Sequence, residues 1–475
     1  VPVTDAANPD RGSTERPSLS RRSLLRAGGL LTAGLAVGAG AGCTVVSSGR
    51  DAMKVRPNKE PAPGRKTTIE IYNIWGSTTG AGLVECARLF EESQDEIAVR
   101  VTFGPTPGGG STIQQKLFTA IAGNQAPDIG FCDAALAPSW TKLRLMKDLT
   151  PYFERDGIRL EDFFPVCAAS MAYQDRVWSV QWDADANFPF FWNKGLFAEC
   201  GLDPERPPTT IDEIDLMAAE INRVERGQAV QVGILPWNQY GAANSMLTWG
   251  YSFGGKFWNT GTNDVTTDDE PNIRALEWMT KSAQGVGGAQ AAVNIAPPSL
   301  QIHPFSTGKI GMTCLVTPNL VQIKELYPDL DIGATLLPYQ PPGASRPGEG
   351  AWLGGWSCFI PRTAPQADAA WEFVKWFSIS DEGTKAQWDN IGFPVGYAKA
   401  PVNEEIAADP DAGVYHETLR KMEHTRPLVT VSEFHHQQME TMVQAAVYGQ
   451  LSPKEALTQI KNLSLREAAR FDRVG

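Results

Sequence analysis

Between Thr68 and Asp133 strand-like and helix-like patterns alternate, and this alternation limits the fold more than any other feature of the chain. Thr68-Ile-Glu-Ile-Tyr-Asn-Ile-Trp75 reads as a strand closed by the small-residue run Gly76 to Gly80. Gly82 to Glu92 follows, with Leu83, Val84, Ala87 and Phe90 at helical spacing. Ile97 to Phe103 is a second strand, Pro105 to Ser111 a Gly/Pro loop, and Thr112 to Ala122 a helix. Pro127 to Asp133 ends a third strand. Such alternation specifies an α/β fold with a largely parallel sheet. Further on, Gly308 to Cys314 and Asp331 to Leu337 read as strands, and Gln366 to Phe377 as a helix with Trp371, Val374 and Phe377 on one face. Ser432 to Tyr448 and Ser452 to Leu463 are the last helices, each opened by a serine suited to capping. Pro453 falls in a first turn, where proline is tolerated.

The N-terminal part obeys different rules. Ser20-Arg-Arg-Ser-Leu-Leu-Arg26 sets paired arginines before an uncharged, Gly/Ala-rich stretch, Ala27 to Gly42, that ends at Cys43. That stretch is too weak for a span, which needs about 20 strongly apolar residues. A basic region, a mild apolar region and small residues before a cysteine resemble a twin-arginine signal joined to a lipobox. Gly40 stands where a lipobox has an aliphatic residue. The expectation is a signal peptide over 1–42, lipidation at Cys43, and a flexible linker over 43–65 containing Pro57, Pro61, Pro63 and Gly64. The protein is then exported and held on the extracytoplasmic face of the cell membrane by lipid alone, for no later segment offers a span.

About 410 residues remain, enough for two large lobes. A net charge of −12 with no long Lys/Arg cluster argues against nucleic acid as a partner. Cys86, Cys132, Cys167, Cys200, Cys314 and Cys358 are an even set in an exported chain, so at least one disulfide is expected, with buried thiols the alternative. Their spacing contains no CxxC or Cys/His metal pattern, and no nucleotide fingerprint occurs, so neither metal nor cofactor is expected. Gly108-Gly-Gly-Ser111 lacks the Lys-Ser/Thr of a phosphate loop and reads as a flexible tip.

One stretch, Ala351-Trp-Leu-Gly-Gly-Trp-Ser-Cys-Phe-Ile-Pro361, is a strand broken by Gly354 and Gly355. Glycine inside a strand marks a bend or a close approach. It takes its place in a longer series of motifs. Trp75 precedes a helix running to Phe90-Glu-Glu92; Gly123-Asn-Gln-Ala-Pro-Asp128 precedes the third strand; Lys147-Asp-Leu-Thr150 and Trp178-Ser-Val-Gln-Trp-Asp183 follow. Then come Phe191-Trp-Asn-Lys-Gly-Leu-Phe197, Gly201-Leu-Asp-Pro204, Phe305-Ser-Thr-Gly-Lys309, Gly354-Gly-Trp356 and Leu451-Ser-Pro-Lys-Glu-Ala456. In this order, from about residue 66 to the end, they resemble family 1 extracellular solute-binding proteins, the maltose-binding-protein-like receptors of ABC importers.

That resemblance implies a type II periplasmic-binding-protein fold: two α/β lobes, a hinge crossed three times, and a ligand cleft between the lobes. Mapped by order, the lobes are 66–184 plus 354–396 and 185–353 plus 397–475. The crossings fall near Trp182 to Asn187, Leu353 to Ser357 and Pro394 to Tyr397. The implied function is capture of a sugar or oligosaccharide by a monomer and its delivery to a membrane permease, without catalysis. A glycerophosphodiester or another small polar solute is the alternative ligand, and a glycoside-acting enzyme the rival class.

Sugars offer apolar C–H faces and a rim of hydroxyls, so a receptor needs aromatic planes with fixed donors and acceptors. In open α/β sheets ligands sit at the carboxyl ends of strands. The candidates in the first lobe are Trp75, Ser77, Thr78 and Asp133, and at the crossings Trp182, Asp183, Asp185, Gly355 and Trp356. From the second lobe come Trp237, Trp249, Tyr251 and His435. Asn319 joins them because relatives carry Gly-Pro-Trp where this chain has Thr317-Pro-Asn319, which implies a ligand other than maltose. Several have competing structural uses: core packing for Trp75 and Trp249, helix capping for Asp133, a solvated turn for Asp183 and Asp185.

Overall fold

A computed structural model describes residues 58–104, 117–290, 295 and 303–474. The expected signal peptide over 1–42, Cys43, the first part of the expected linker and the Gly108 to Ser111 loop lie outside the described residues. The alternating strand Thr67–Asn73 buries Ile69 and Ile71 and pairs in parallel with Ile97–Phe103, Thr67 opposite Ile97. Helix Ser77–Ser93 covers this pair, and Gly82 lets it close onto helix Asp381–Ile391, because a Cβ there would strike the Asn390 carbonyl. Helix Ala367–Ile379 turns Trp371, Val374 and Phe377 into the same core.

Beyond Ile129, which bridges Ile71 in parallel, the first-lobe sheet changes sense. Gly130–Asp133 pairs antiparallel with Trp356–Phe359, which pairs antiparallel with Val180–Gln181. In the second lobe Phe190–Asn193 runs antiparallel to both Met312–Cys314 and Ile332–Thr335. The sheets are therefore mixed rather than largely parallel. A strand returning from the other lobe enters from the opposite end, and local periodicity carries no sign of that.

Two α/β lobes result, each with its own core. Between them lies a small sheet in which Trp352–Leu353 pairs antiparallel with Ala186–Asn187 and parallel with His424–Thr425. The glycine pair serves this passage. Gly355 has φ +79°, and a Cβ on it would collide with the Asp183 carbonyl; one on Gly354 would collide with the Asn187 amide. Backbone bonds lace the crossing together: Gly354 N donates to Asp185 O (3.0 Å), and Ala184 N donates to Pro394 O (2.8 Å).

The third passage lies later than Pro394 to Tyr397. Val395 bridges Asp183, Tyr397 bridges Phe163, and residues 395–412 pack around Val402 and Ile406 against Trp388. The chain leaves the first lobe through helix Gly413–Lys421, which puts Tyr415 into the second core and Leu419 into the first, and then through His424–Thr425. Two smaller expectations also change. All six described cysteines are free, five of them buried, so they pack as small apolar groups. Ser452 forms a capping box with Glu455, but Ser432 is buried one residue inside its helix, which starts at an uncapped Val431.

Candidate ligand cleft

On the first-lobe side the strand register puts Trp356 opposite Asp133. Trp356 is half-buried, its ring edge-on to Trp75 at 5.4 Å and 84°. Trp75 in turn meets Phe131 at 4.8 Å and Trp182 at 5.4 Å, both edge-on. Exposure is graded through the cluster: Trp182 1 %, Trp75 8 %, and Trp356 partly open. Trp182 also packs on Phe377 and Phe393, so it is a core residue that supports Trp75 rather than a surface for ligand. Ser77 and Thr78 open helix Ser77–Ser93; their side chains lie outside the described residues.

Asp133 does cap the following turn, accepting from Ala135 N at 3.0 Å, but its second oxygen crosses to the other lobe and pairs with Arg426. Arg426 lies 5.3 Å over the Trp352 ring and donates to Asn244 Oδ1 at 3.3 Å. Asn244 donates to the Tyr240 carbonyl at 2.9 Å. The Tyr240 ring stacks on Phe188 at 5.0 Å and 14° and has His303 at 5.7 Å. Its hydroxyl accepts from Val316 N (3.0 Å) and donates to Asn319 Oδ1 (2.6 Å). A continuous polar line thus runs from Asp133 through Arg426, Asn244 and Tyr240 to Asn319. Of its second-lobe members only Asn319 was singled out from the sequence. Arg426 sits in an aperiodic segment before Pro427, and only tertiary contact gives it a role. Tyr240 and Gly241 both adopt positive φ in the turn that leads into helix Ala242–Ser252.

Asp183 and Asp185 are not a solvated turn. They are 1 % and 3 % exposed, and each keeps a carboxylate oxygen without a partner among the described residues. Burial raises both carboxyls, Asp183 well above the usual range with Asp185 adding to the effect. Asp185 is pushed up to about 7 by burial, against the pull of Arg426. Asp133 also acts on Asp183, while the Arg426 guanidinium pairs with Asp133 and acts on Asp185. His436 is half-buried beside Arg426, and burial first and then that charge hold it well below the ordinary histidine range.

Three second-lobe candidates are interior instead. Trp249 is 0 % exposed, donates to Pro236 O at 2.8 Å and packs on Trp278. The Tyr251 hydroxyl donates to Thr425 O (2.8 Å), and its ring stacks on His424 at 4.1 Å. His435 bonds Thr267 Oγ1 at 2.8 Å and lies edge-on between Phe257 and Trp258. Each was expected to meet ligand and instead lies on a helix packed within the second lobe. Trp237 is also part of the second core, at 9 % exposure. No group of three or more His, Cys, Asp or Glu that could hold a metal occurs among the described residues.

Comparison with known proteins agrees with this architecture. The model of the bacterial extracellular solute-binding protein family matches residues 76–383, and the chain belongs to that family. The mannotriose-bound CpMnBP1 superposes with a TM-score of 0.73 at 21 % identity, covering 84 % of this chain and 100 % of its own. The sugar-binding protein MalE of the phytopathogen Xanthomonas citri gives 0.70 at 18 %, covering 86 % and 98 %. The GacH receptor of Streptomyces glaucescens, solved unliganded and with acarbose, gives 0.67 at 19 %, covering 84 % and 97 %. A search of curated protein sequences gives no match. These likenesses establish the two-lobed fold.

Proposed function

We propose that this chain is the receptor of an ABC importer, capturing a neutral sugar or short oligosaccharide between its lobes and passing it to a membrane permease. The observation that carries this reading is the half-open Trp356 ring, propped edge-on by Trp75 and opposite Asp133 in strand register, where the polar line to Asn319 begins. An aromatic plane beside fixed donors and acceptors suits a ring with an apolar face and hydroxyls at its edge. Trp356, Trp75, Asp133, Arg426, Asn244, Tyr240 and Asn319 form the proposed contact set.

Charge disfavours the phosphodiester alternative. A phosphate needs free cationic donors, whereas Arg426 is already matched by Asp133, with the Asp185 carboxyl also under its influence. Glycoside hydrolysis needs two carboxyls flanking a bond at about 5 to 9 Å. Asp183 and Asp185 instead share one buried crossing segment. The similar receptors bind mannotriose, mannobiose, maltose and acarbose. Export by the twin-arginine pattern and anchoring at Cys43 complete the proposal; among the described residues no helix is long and apolar enough to cross a membrane.

Titration of the purified protein with those four ligands and glycerophosphocholine, following tryptophan fluorescence and product release, tests the reading. A saturable change with a sugar and no hydrolysis is expected. A response to the phosphodiester alone, or turnover of a glycoside, overturns it.

A further inference from the structure

The lobes are tied at the cleft by Arg426 and Asp133, and again on a rim that includes none of the proposed ligand contacts. Helix Ala137–Lys142 belongs to the first lobe, anchored by Trp140 beside Cys132 and Phe359. Its last residue, Lys142, reaches Asp472 Oδ1 at 2.7 Å and lies 5.3 Å over the Phe471 ring. Those two residues end helix Pro453–Val474, which buries Ala456, Leu457 and Ile460 in the second core. Phe471 packs beside Trp258, Val429 and Ala468, also in the second lobe. Alongside, helix Ser432–Val447 rests against the turn Ala134–Leu136 that leads into the Lys142 helix. The rim is thus a seam between two separately built cores.

Neither core needs this ion pair. Lys142 and Asp472 keep 23 % and 57 % of their side-chain exposure, so each is solvated without the other. An exposed pair adds little to folding. Here, however, the partners sit on bodies whose covalent link is the hinge, so their attraction acts on the spacing of the lobes. The cation over Phe471 adds to it.

We infer that Lys142, Asp472 and Phe471 form a rim latch that biases the lobes toward the arrangement in which these contacts form and slows ligand release. Only the effect on release rests on the ligand reading above. Spin labels at the exposed positions Glu161→Cys and Leu216→Cys, in a Cys200→Ser background, report the lobe spacing directly. In the ligand-free full chain, Lys142→Glu should shift the distance distribution outward, and the swap Lys142→Asp with Asp472→Lys should restore it. Lys142→Glu should also speed release of a sugar that the wild type binds by about three- to tenfold. Melting temperature serves as the folding control, with Asp472→Asn as the milder variant. An unchanged distance distribution in folded Lys142→Glu and Asp472→Asn overturns the latch, whatever the sugar panel shows. Unchanged release with altered spacing overturns its role in retention. A wild type that answers no sugar defeats the ligand reading and leaves the spacing test decisive for the latch.

Discussion

The two walls of the proposed cleft are built on different principles. The first-lobe wall is a cluster of aromatic rings in which Trp182 supports Trp75 and Trp75 supports Trp356. The second-lobe wall is a line of polar groups, Tyr240, Asn244 and Arg426, held by hydrogen bonds to one another and to Asn319. Ring stacking supplies contact area and tolerates a range of ligands. A polar line fixes orientation, because each donor and acceptor already has a direction. The difference separates residues that create a surface from residues that aim it.

The sharpest test of that contrast compares two tryptophans of one cluster. Trp182→Ala empties a fully buried site and should cost about 3–5 kcal/mol of stability, read as a lower melting temperature and denaturation midpoint. Trp356→Ala should leave both nearly unchanged and weaken ligand binding about thirtyfold, roughly 2 kcal/mol, by calorimetry. If Trp356→Ala instead lost stability and kept its affinity, the first wall would be all core.

The smallest effect expected is at the crossing itself. A carboxyl raised on folding, as Asp185 is, holds its proton more tightly in the native state than in the unfolded chain. Its contribution is therefore most favourable below the unfolded value near 4 and is lost as pH rises toward about 7. Asp185→Asn should remove that loss, raising the melting temperature of the empty protein by a few degrees at pH 8 and leaving it little changed near pH 4. His303 and His435, held down to about 4 by burial, act in the opposite sense as pH falls below the ordinary histidine value of 6.5. The difference between variant and wild type isolates Asp185. Equal curves would mean that the carboxylate is compensated in place.

Much of the fold was legible locally. Thr67–Asn73, Ile97–Phe103, the helix beginning at Ala367 and the capping box at Ser452 all follow from period, branching and cap chemistry over a few residues. The broken strand at Gly354 and Gly355 was legible too, since only glycine fits where another backbone touches. Of the proposed site, Trp356, Asp133 and Asn319 were named from strand ends and motif order. Trp249, Tyr251 and His435 are interior instead, because an aromatic or imidazole in a helix suits the core as well as a binding face. Arg426 and Asn244 carried no local signal.

The sequence by itself determined that this chain has an α/β fold, that two glycines break a strand, and that tryptophans gather at strand ends. Those properties depend on neighbours along the chain. Only the tertiary structure decided which tryptophan stays open, that the sheets are mixed, and that Arg426 meets Asp133 across 293 residues. Exposure and ion pairing depend on what a distant segment brings to the same place, and no local pattern encodes that.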